Sequence, residues 1–442
     1  MPFDGHFNPL TGIAMHLKQG GHDVRWYAGP SYQDKLDDLG IPGHVFQRAR
    51  EVNGESIAAL FPERAKLKGP KLISFDAEQI FVAGVEHHYR DILEVHARFP
   101  FDALFCDAAF YAAKLVTEKL QTPVYAAGVG PLLATSRDVP PPFFGLKPAR
   151  TTAGRLVHRG ARALLHSGLK YGVRRYNAVL TAPGLQSVQV DEWFDIPHQC
   201  ARRYFQSGAP GLDYPRSDLP ANVTFVGPLL PHNKTIAAAF AHQERLDSHK
   251  SAVVVVSQGT VDNHDPQKLI VPTLEALKDG PHLVVATTGG RHTEELRRRY
   301  PHDNLIIEDF VDFDALFAHT DVLICNGGYG SVMLALRHGV PILAAGRREM
   351  KNDINARLDY HGFGIDLHTE RPTPKKLARG LTRILNDRTD GPLRHNLAPI
   401  RAELESYRPF EIIDRCLAED AVPSTTASST VGRAGIAAAT DA

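Results

Sequence analysis

Short apolar runs of strand length alternate with longer amphipathic stretches along most of this chain, and the alternation starts twice. In the first half the runs are Asp23–Tyr27, Ala103–Cys106 and Val124–Ala127, and a helix is predicted over Ala108–Leu120. The second half repeats the pattern with five runs, at Ala252–Ser257, Leu283–Thr287, Leu305–Ile307, Val322–Cys325 and Pro341–Ala345. Such alternation is typical of βαβ units around parallel sheets. It predicts an α/β fold of two doubly wound, Rossmann-like domains that face each other across a cleft.

Changes in composition predict where these domains end. Residues 214–231 hold four prolines and read as a linker, with a short strand at Val223–Val226. We therefore expect a first domain over 1–213 and a second over 232–405, followed by a helix over 406–420. The tail 421–442 is rich in Ser, Thr, Ala and Gly and is expected to be disordered.

The first domain begins unusually. Only Met1–Phe3 precede the turn that carries His6, and the first helix is predicted over Pro9–Gln19, so the first strand is missing. An unpaired edge inside a buried parallel sheet is costly. We therefore expect about ten further residues, apolar and β-branched, ahead of Met1, the length of one strand with its turn.

Composition excludes several classes of protein. The 442 residues carry 50 Lys plus Arg and 50 Asp plus Glu, so the chain lacks the net positive charge of a typical nucleic-acid-binding protein. The longest apolar runs have strand length, and none is long enough to span a bilayer. Four widely spaced cysteines favour neither a disulfide framework nor a zinc ribbon, and they predict reduced thiols and a cytoplasmic location.

The strongest local signal is a glycine-rich turn between a buried strand and an amphipathic helix. Val322–Cys325 runs into Asn326-Gly327-Gly328-Tyr329-Gly330, and Ser331 is expected to open the helix. Glycines let the backbone approach a ligand, and a helix N-terminus presents unpaired N–H groups to phosphate. A second loop, Ser257-Gln258-Gly259-Thr260, follows the first strand of the second domain. Each could be an ordinary turn, but two such loops at one sheet edge predict a diphosphate site.

His6 and Asp107 are the candidates for proton transfer. Asp107 follows the strand Ala103–Cys106, and both residues are expected at the carboxyl edge of the first sheet. A histidine that is oriented by a carboxylate can act as a general base. The alternatives are a solvated turn histidine and an aspartate that only caps the next helix.

A metal site is not indicated. Asp312-Phe313-Asp314 spells an Asp-x-Asp pair, but it precedes Ala315-Leu316-Phe317 and is better interpreted as a helix cap. The chain has 22 histidines, yet neither His-Glu-x-x-His nor Cys/His ligand spacing occurs, and Gly-x-Ser-x-Gly is absent.

Taken in order, five segments resemble the family 1 nucleotide-sugar glycosyltransferases with the GT-B fold, in particular their bacterial macrolide-type branch. The resemblance extends from residue 1 to about Leu417, and its ordered set of segments is more specific than any one motif. The segments are Gly5-His6-Phe7-Asn8-Pro9-Leu10, Cys106-Asp107-Ala108-Ala109-Phe110, Ser257-Gln258-Gly259-Thr260, Asn326-Gly327-Gly328-Tyr329-Gly330-Ser331 and Asn355-Ala356-Arg357.

The resemblance implies a mechanism. The first domain would bind the acceptor, where His6 takes a proton from a hydroxyl and Asp107 orients His6. The oxygen would attack the anomeric carbon with inversion, and N–H groups rather than a metal would stabilise the leaving diphosphate. The second domain would bind the nucleotide-sugar, with Ser257, Gly259, Thr260, Phe310, Val311, Asn326, Gly327, Gly328, Gly330, Ser331, Glu349 and Lys351 around it; main-chain groups at Phe310 and Val311 would hold the base.

The chain also departs from the family pattern. Asn326 stands where many members have His; its amide can still donate to a phosphate oxygen but carries no charge. Leu334 stands where an acid holds the ribose hydroxyls in many uridine-diphosphate enzymes. The acidic-amide pair that reads the sugar hydroxyls is not kept at Met350-Lys351-Asn352, where Glu349, Lys351 or Asp353 are the candidate substitutes.

We therefore expect an inverting transferase that moves a hexosyl group from a UDP- or dTDP-sugar to a hydroxyl of a small, largely apolar acceptor. It would need no cofactor beyond the nucleotide-sugar co-substrate and would have no nucleic-acid partner. The alternatives are a GT-B nucleotide-sugar epimerase or hydrolase, and a catalytically silent GT-B nucleotide-binding protein.

Overall fold

The computed structural model describes residues 3–232, 242–259, 262–387 and 391–421. Apart from Ala421, the tail that the sequence predicts to be disordered lies outside this range, and so does Thr260. Twelve strands occur in the described part of the chain: β1 Trp26–Ala28, β2 Gly43–Val45, β3 Leu104–Asp107, β4 Val124–Gly128, β5 Arg203–Ser207, β6 Val223–Gly227, β7 Val253–Ser257, β8 Leu283–Thr287, β9 Leu305–Glu308, β10 Val322–Cys325, β11 Ile342–Ala344 and β12 Gly364–Asp366.

Helices separate these strands. The α-helices of the first half are α1 Asp4–Gln19, α2 Gln33–Leu39, α3 Ile57–Leu60, α4 Pro70–Phe75, α5 Val85–Arg98, α6 Ala113–Leu115, α7 Thr152–Thr181 and α8 Ile196–Cys200. Those that follow are α9 Gln243–Ser248, α10 Ile270–Leu277, α11 Thr293–Arg299, α12 Phe313–Phe317, α13 Tyr329–Arg337, α14 Lys351–His361, α15 Pro374–Leu385, α16 Pro392–Ser406 and α17 Pro409–Ala421. No helix of the described residues is long and apolar enough to cross a membrane.

The strands of the second half form one parallel sheet in the order β12-β11-β10-β7-β8-β9. Successive residues of β7 are fully buried on opposite faces: Val253 and Val255 pack into one apolar cluster, Val254 and Val256 into the other. Such strands belong to a parallel sheet with helices on both faces. The strand order reverses between β7 and β10, where Ser257 is paired with Cys325. Ligands of doubly wound sheets bind at this switch point, beyond the carboxyl ends of the strands.

The strands of the first half form two parallel sheets, β1-β2 and β3-β4-β5-β6. The end of the chain returns to this half, because α17 packs Ile413 and Cys416 against Ile13 and Phe205. The first half therefore includes a helix that lies almost four hundred residues away in sequence, a contact that local sequence pattern does not encode.

The structure corrects two helix predictions. The first helix begins at Asp4 rather than Pro9, so His6 lies in its first turn and Pro9 lies inside the helix. Proline forfeits one backbone hydrogen bond, but packing of Ile13 and Leu17 in the core holds the helix together. The helix expected over 108–120 is α-helical only at Ala113–Leu115 and then π-helical over Val116–Leu120.

Candidate active site

A histidine and a buried aspartate from distant parts of the chain meet in the first half. The Nδ1 atom of His6 lies 2.7 Å from Oδ2 of Asp107. The Asp107 side chain is 1% exposed and that of His6 is 39% exposed. Because a carboxylate accepts from Nδ1–H, the free Nε2 atom of His6 is the one that can take a proton from another molecule.

Asp107 also shapes the turn in which it lies. It ends β3, and its Oδ1 accepts a hydrogen bond of 2.8 Å from the backbone N–H of Ala109. Burial works to raise the pKa of Asp107, but the facing His6 and the Ala109 N–H keep that pKa below its usual value. Asp107 is therefore an anion that both caps the local turn and orients His6. The interpretation as a cap and the interpretation as the partner of His6 are compatible.

The glycine-rich turn lies at the switch point of the second sheet. The helix α13 begins at Tyr329, with Gly328 as its N-cap, so Ser331 is its third residue rather than its first. The N–H groups of the first helical turn have no intrahelical acceptor. They give the turn a positively polarised end that can receive an anion.

Gly327 is required by the geometry of this turn. Its φ is +90°, and a Cβ atom there would collide with the side-chain oxygen of Asn355. Asn355 is fully buried, and its amide nitrogen donates to Gly346 O at 3.0 Å. The two motifs that resemble the family, one ending β10 and one on α14, thus meet at a single point.

We expect Gly327→Ala to weaken nucleotide binding at least tenfold, because an alanine is strained at this φ and displaces Asn355. Titration calorimetry with UDP and dTDP measures the effect. Gly184→Ala is the matched control: Gly184 also has a positive φ, but a Cβ there meets nothing within 4 Å. Equal nucleotide affinity in the wild type and the Gly327 variant would contradict this role of the turn.

The loop after β7 is held rigidly by side-chain amides. The Oε1 of the buried Gln258 accepts from the N–H groups of Leu269 and Ile270, and its Nε2 donates to two carbonyls, of Asp262 and Asp265. Ser257 Oγ accepts from Gly259 N at 3.2 Å. The described part of this loop and the segment 262–270 are therefore joined through the Gln258 side chain. Thr260 lies outside the described residues.

Asn326 joins the two candidate phosphate loops. Its amide nitrogen donates to Gln258 O at 2.5 Å and to Asp262 Oδ2 at 3.0 Å. The sequence suggests that this amide could donate to a phosphate oxygen, but in the structure it binds protein groups. Asn326 therefore fixes the spacing of the loops.

Asp262 lies at the centre of a charged cluster that the sequence analysis missed. It forms ion pairs with Lys268 and with Lys351, which also lies 3.1 Å from Glu349. Burial works to raise the pKa of Asp262, but the two lysines lower it to about 2. Only its position soon after the Ser257-Gln258-Gly259 motif could have drawn attention to it.

The backbone before α14 is strained. Glu349 and Met350 have φ values of +54° and +65°, which non-glycine residues rarely adopt. This conformation lets Glu349 reach Lys351. Strained residues cluster at functional sites, where the surrounding structure supports them.

Phe310 and Val311 lie at the same edge of the sheet, after β9. Phe310 is 69% exposed, whereas Val311 is buried in the core. A large aromatic ring that is so exposed beside the glycine turn Gly289-Gly290 offers a flat apolar surface to a ligand.

Asp312 caps the helix α12, as the sequence predicts: its side chain accepts from the N–H groups of Asp314 and Ala315. Among the described residues there is no cluster of three or more His, Cys, Asp or Glu that could hold a metal ion.

Asp353 joins the two halves of the chain through hydrogen bonds that the sequence did not predict. Its carboxylate accepts from the N–H groups of Phe143 and Gly145, at 2.5 and 2.8 Å. Burial raises the pKa of Asp353 despite these bonds. Both oxygens of the Asp353 carboxylate thus accept hydrogen bonds from the protein. Glu349 and Lys351 remain the candidates for contact with the sugar.

A second contact between the halves is a buried ion pair. Arg357 of α14 donates to Asp213 at 2.6 Å, and Arg216 lies 3.2 Å from the same carboxylate. Asp213 thus lies between two buried guanidinium groups. Together with Asp353, this pair fixes α14, and the strained turn before it, against the first half.

Known proteins resemble this chain in sequence and in fold. The C-terminal domain family described as erythromycin biosynthesis protein CIII-like matches residues 272–418. The chain is 31% identical over 387 residues to 4'-demethylrebeccamycin synthase of Lentzea aerocolonigenes, covering 87% of this chain and 90% of that one. It is 29% identical over 399 residues to UDP-glycosyltransferase 2 of Phaeomoniella chlamydospora, covering 88% of each chain.

Solved structures of glycosyltransferases share the fold, as two of them illustrate. The glycotransferase of kitacinnamycin superposes with a TM-score of 0.70 at 17% identity, over 96% of this chain and 98% of that one. A spinosyn rhamnosyltransferase complexed with thymidine diphosphate superposes with a TM-score of 0.65 at 16% identity, over 95% and 100%. The expected fold of two Rossmann-like domains is confirmed.

Proposed function

This chain belongs to the family 1 macrolide-type glycosyltransferases, and we propose that it moves a hexosyl group from a UDP- or dTDP-sugar to a hydroxyl of a small, largely apolar acceptor, with inversion. The observation that carries this proposal is the pairing of a half-exposed His6 with a buried, ionised Asp107. This pair is a proton acceptor in one half of a molecule whose other half offers an anion-binding turn.

Each partner of the reaction has its own part of the chain in this proposal. Residues 1–213 bind the acceptor and residues 232–405 bind the donor. Of the segment 214–231 between them, β6 lies in the sheet of the first half, and the final helix, expected over 406–420, packs on that half as α17. The buried free cysteines support a cytoplasmic location. The name of one relative supports a UDP-sugar, and the ligand of one solved structure supports a dTDP-sugar.

His6 acts first in the proposed reaction. Its Nε2 accepts the proton of the acceptor hydroxyl as the oxygen attacks the anomeric carbon, and Asp107 stabilises the imidazolium that forms. The bond to the diphosphate breaks on the opposite face of the sugar. The electron pair leaves with the diphosphate, and N–H groups of the turn Gly327–Ser331 stabilise this charge.

The donor lies along the edge of the second sheet. The exposed ring of Phe310 stacks on the base, while the main chain at Phe310 and Val311 binds its edge. Lys351 and Glu349 face the sugar, and Asp262 holds Lys351 in place. Ser257 and Gly259 bind the diphosphate from one side, and Gly328, Gly330 and Ser331 bind it from the other, with Asn326 fixing the distance between the loops.

The test is incubation with UDP-glucose or dTDP-glucose and a mixed panel of phenolic and sterol acceptors. We expect a product heavier than its acceptor by one hexosyl unit, with inverted anomeric configuration by NMR. Nucleotide release without any acceptor would indicate a hydrolase, and nucleotide binding without turnover would indicate a silent binding protein. Either result would overturn the proposal.

We expect this activity to survive EDTA. The diphosphate faces N–H groups and a helix N-terminus, and Asp312 is engaged as a helix cap, so the leaving charge has partners within the chain. Turnover before and after chelation is the measurement. Complete loss of turnover that manganese or magnesium restores would return Asp312 and Asp314 to the active site.

A further inference from the structure

The helix α7 concentrates positive charge in a chain whose formal net charge is zero. Its 30 residues contain no Asp or Glu. Six of them are basic, namely Arg155, Arg159, Arg162, Lys170, Arg174 and Arg175. Such a helix is not an ordinary solvated one, in which acidic and basic residues alternate.

The same helix exposes large apolar side chains. Eight large hydrophobic residues are exposed in the described part of the chain, and four of them are on α7. They are Leu156, Val157, Leu164 and Tyr171, which are 59%, 56%, 44% and 50% exposed. At 3.6 residues per turn, they fall within an arc of about 100° and extend over about 22 Å along the helix.

This exposure is not the result of a loosely attached helix. The opposite face packs Leu165, Leu169, Val173, Tyr176 and Leu180 into an apolar cluster with Trp193. Gly168 and Gly172 bring the backbone close to Pro70, Ile73 and Ala77. The helix is thus anchored on one side, and its solvent side is a fixed surface.

Most of the basic residues on this surface have no acidic partner in the part of the chain that the structure describes. Arg162 turns inward to the carbonyls of Ser136 and Val139, and Arg175 forms an ion pair with Glu78. Within the described residues, no ion pair is formed by the other four cations, Arg155, Arg159, Lys170 and Arg174.

The neighbouring segment adds to this charge. Lys66, Lys68 and Lys71 are exposed just before and on α4, which packs against α7. The acid Asp76 in that region is neutralised by Arg64, so Glu63 is the remaining acid there. The surface is basic as a whole.

We propose that the exposed face of α7 binds the surface of an anionic lipid bilayer, with its apolar residues in the headgroup region and its cations on the lipid phosphates. Apolar residues beside arginines and lysines are the pattern of an interfacial amphipathic helix. A nucleic acid would use the cations and leave the apolar residues without partners. A second copy of this face would bring like charges together.

This surface lies on the outer side of a helix whose inner side lines a cavity between the two halves. Arg162, Leu165 and His166 of α7 line a cavity of about 260 Å³, together with Met350 and Asp353 next to the strained turn. A bilayer against α7 would therefore lie close to this cavity and to the strained turn. The membrane contact itself does not depend on the proposed transfer reaction.

The experiment is flotation of the full chain with phosphatidylcholine vesicles, with and without phosphatidylglycerol. One variant combines Arg155→Gln, Arg159→Gln, Lys170→Gln and Arg174→Gln; a second combines Leu156→Gln, Leu164→Gln and Tyr171→Gln. A matched control combines Leu93→Gln and Leu219→Gln, which are exposed apolar residues elsewhere. We expect the wild type to bind the anionic vesicles and salt to weaken this binding. The charge variant should bind these vesicles about a hundredfold or more weakly, and the affinity of the apolar variant should also fall strongly.

Other results would overturn the proposal. These are equal binding to neutral and anionic vesicles, no binding, or binding that both variants retain. A dimer that the apolar variant dissociates, without vesicle binding, would assign the face to a second copy. Binding of duplex DNA that only the charge variant loses would assign it to a polyanion. Vesicles are tested without donor or acceptor, so failure of the transfer reaction would leave this result unaffected.

Discussion

His6→Ala is expected to lower kcat by about a hundred- to ten-thousand-fold, the range that a positioned general base contributes. The variant removes the only side chain that joins the Asp107 carboxylate to a bound acceptor in the proposed reaction. Nucleotide affinity should change little, because the candidate phosphate loops belong to the other half of the chain. Single-turnover kinetics and titration calorimetry measure the two quantities separately.

The matched control is His16→Ala. His16 lies on the same helix and also binds a carboxylate, that of Asp414, at 2.9 Å, but at the opposite end of the helix from His6. It should keep near-normal turnover. If the His6 variant also kept near-normal turnover, the assignment of the base would be wrong.

Asp213→Ala is expected to destabilise the folded protein by about 3–5 kcal/mol, because it leaves buried positive charge without a partner. The side chains of Arg357 and Arg216 are 8% and 5% exposed, so water can hardly replace the lost carboxylate. Their remaining acceptors are carbonyls, of Asp353 for Arg357 and of Leu132 and Ala134 for Arg216. Thermal and denaturant unfolding, followed by circular dichroism, measure the loss.

Asp359→Ala is the control for this prediction. Asp359 pairs with Lys147 and also joins α14 to the first half, but its side chain is 35% exposed. Water solvates both partners there, so the loss should be below about 1 kcal/mol. If both variants lost the same free energy of unfolding, burial of the Asp213 ion pair would not be the cause of the loss.

Strand positions in the second half followed closely from sequence. Two of the predicted runs, Leu283–Thr287 and Val322–Cys325, match β8 and β10 residue for residue. Fully buried parallel strands are continuous apolar runs, and their pattern does not depend on which strands they join.

Three strands, β2, β5 and β12, were missed. Their segments Gly43–Val45, Arg203–Ser207 and Gly364–Asp366 mix polar residues or glycine with few apolar ones.

Candidate site residues were found when a sequence motif marked them. His6 and Asp107, which are 101 residues apart, were paired on the expectation that both lie at one sheet edge, and the structure places them 2.7 Å apart. Asp262 and the contact of Asp353 with Phe143 and Gly145 were missed. An aspartate near a loop, or at the start of a helix, has the same local sequence whether it binds a lysine, a backbone or a ligand.

The sequence by itself determined the α/β class, the two-part organisation and the glycine-rich turn, since alternating apolar runs and glycine at a sheet edge reflect local burial and backbone freedom. Only the tertiary structure decided that α1 begins at Asp4, that Asn326 ties two loops together, and that Asp353 and Arg357 hold the halves to each other. These features depend on partners tens to hundreds of residues away. Their free energy comes from hydrogen bonds and ion pairs between groups that the fold brings together, and no local stretch of sequence specifies which groups those are.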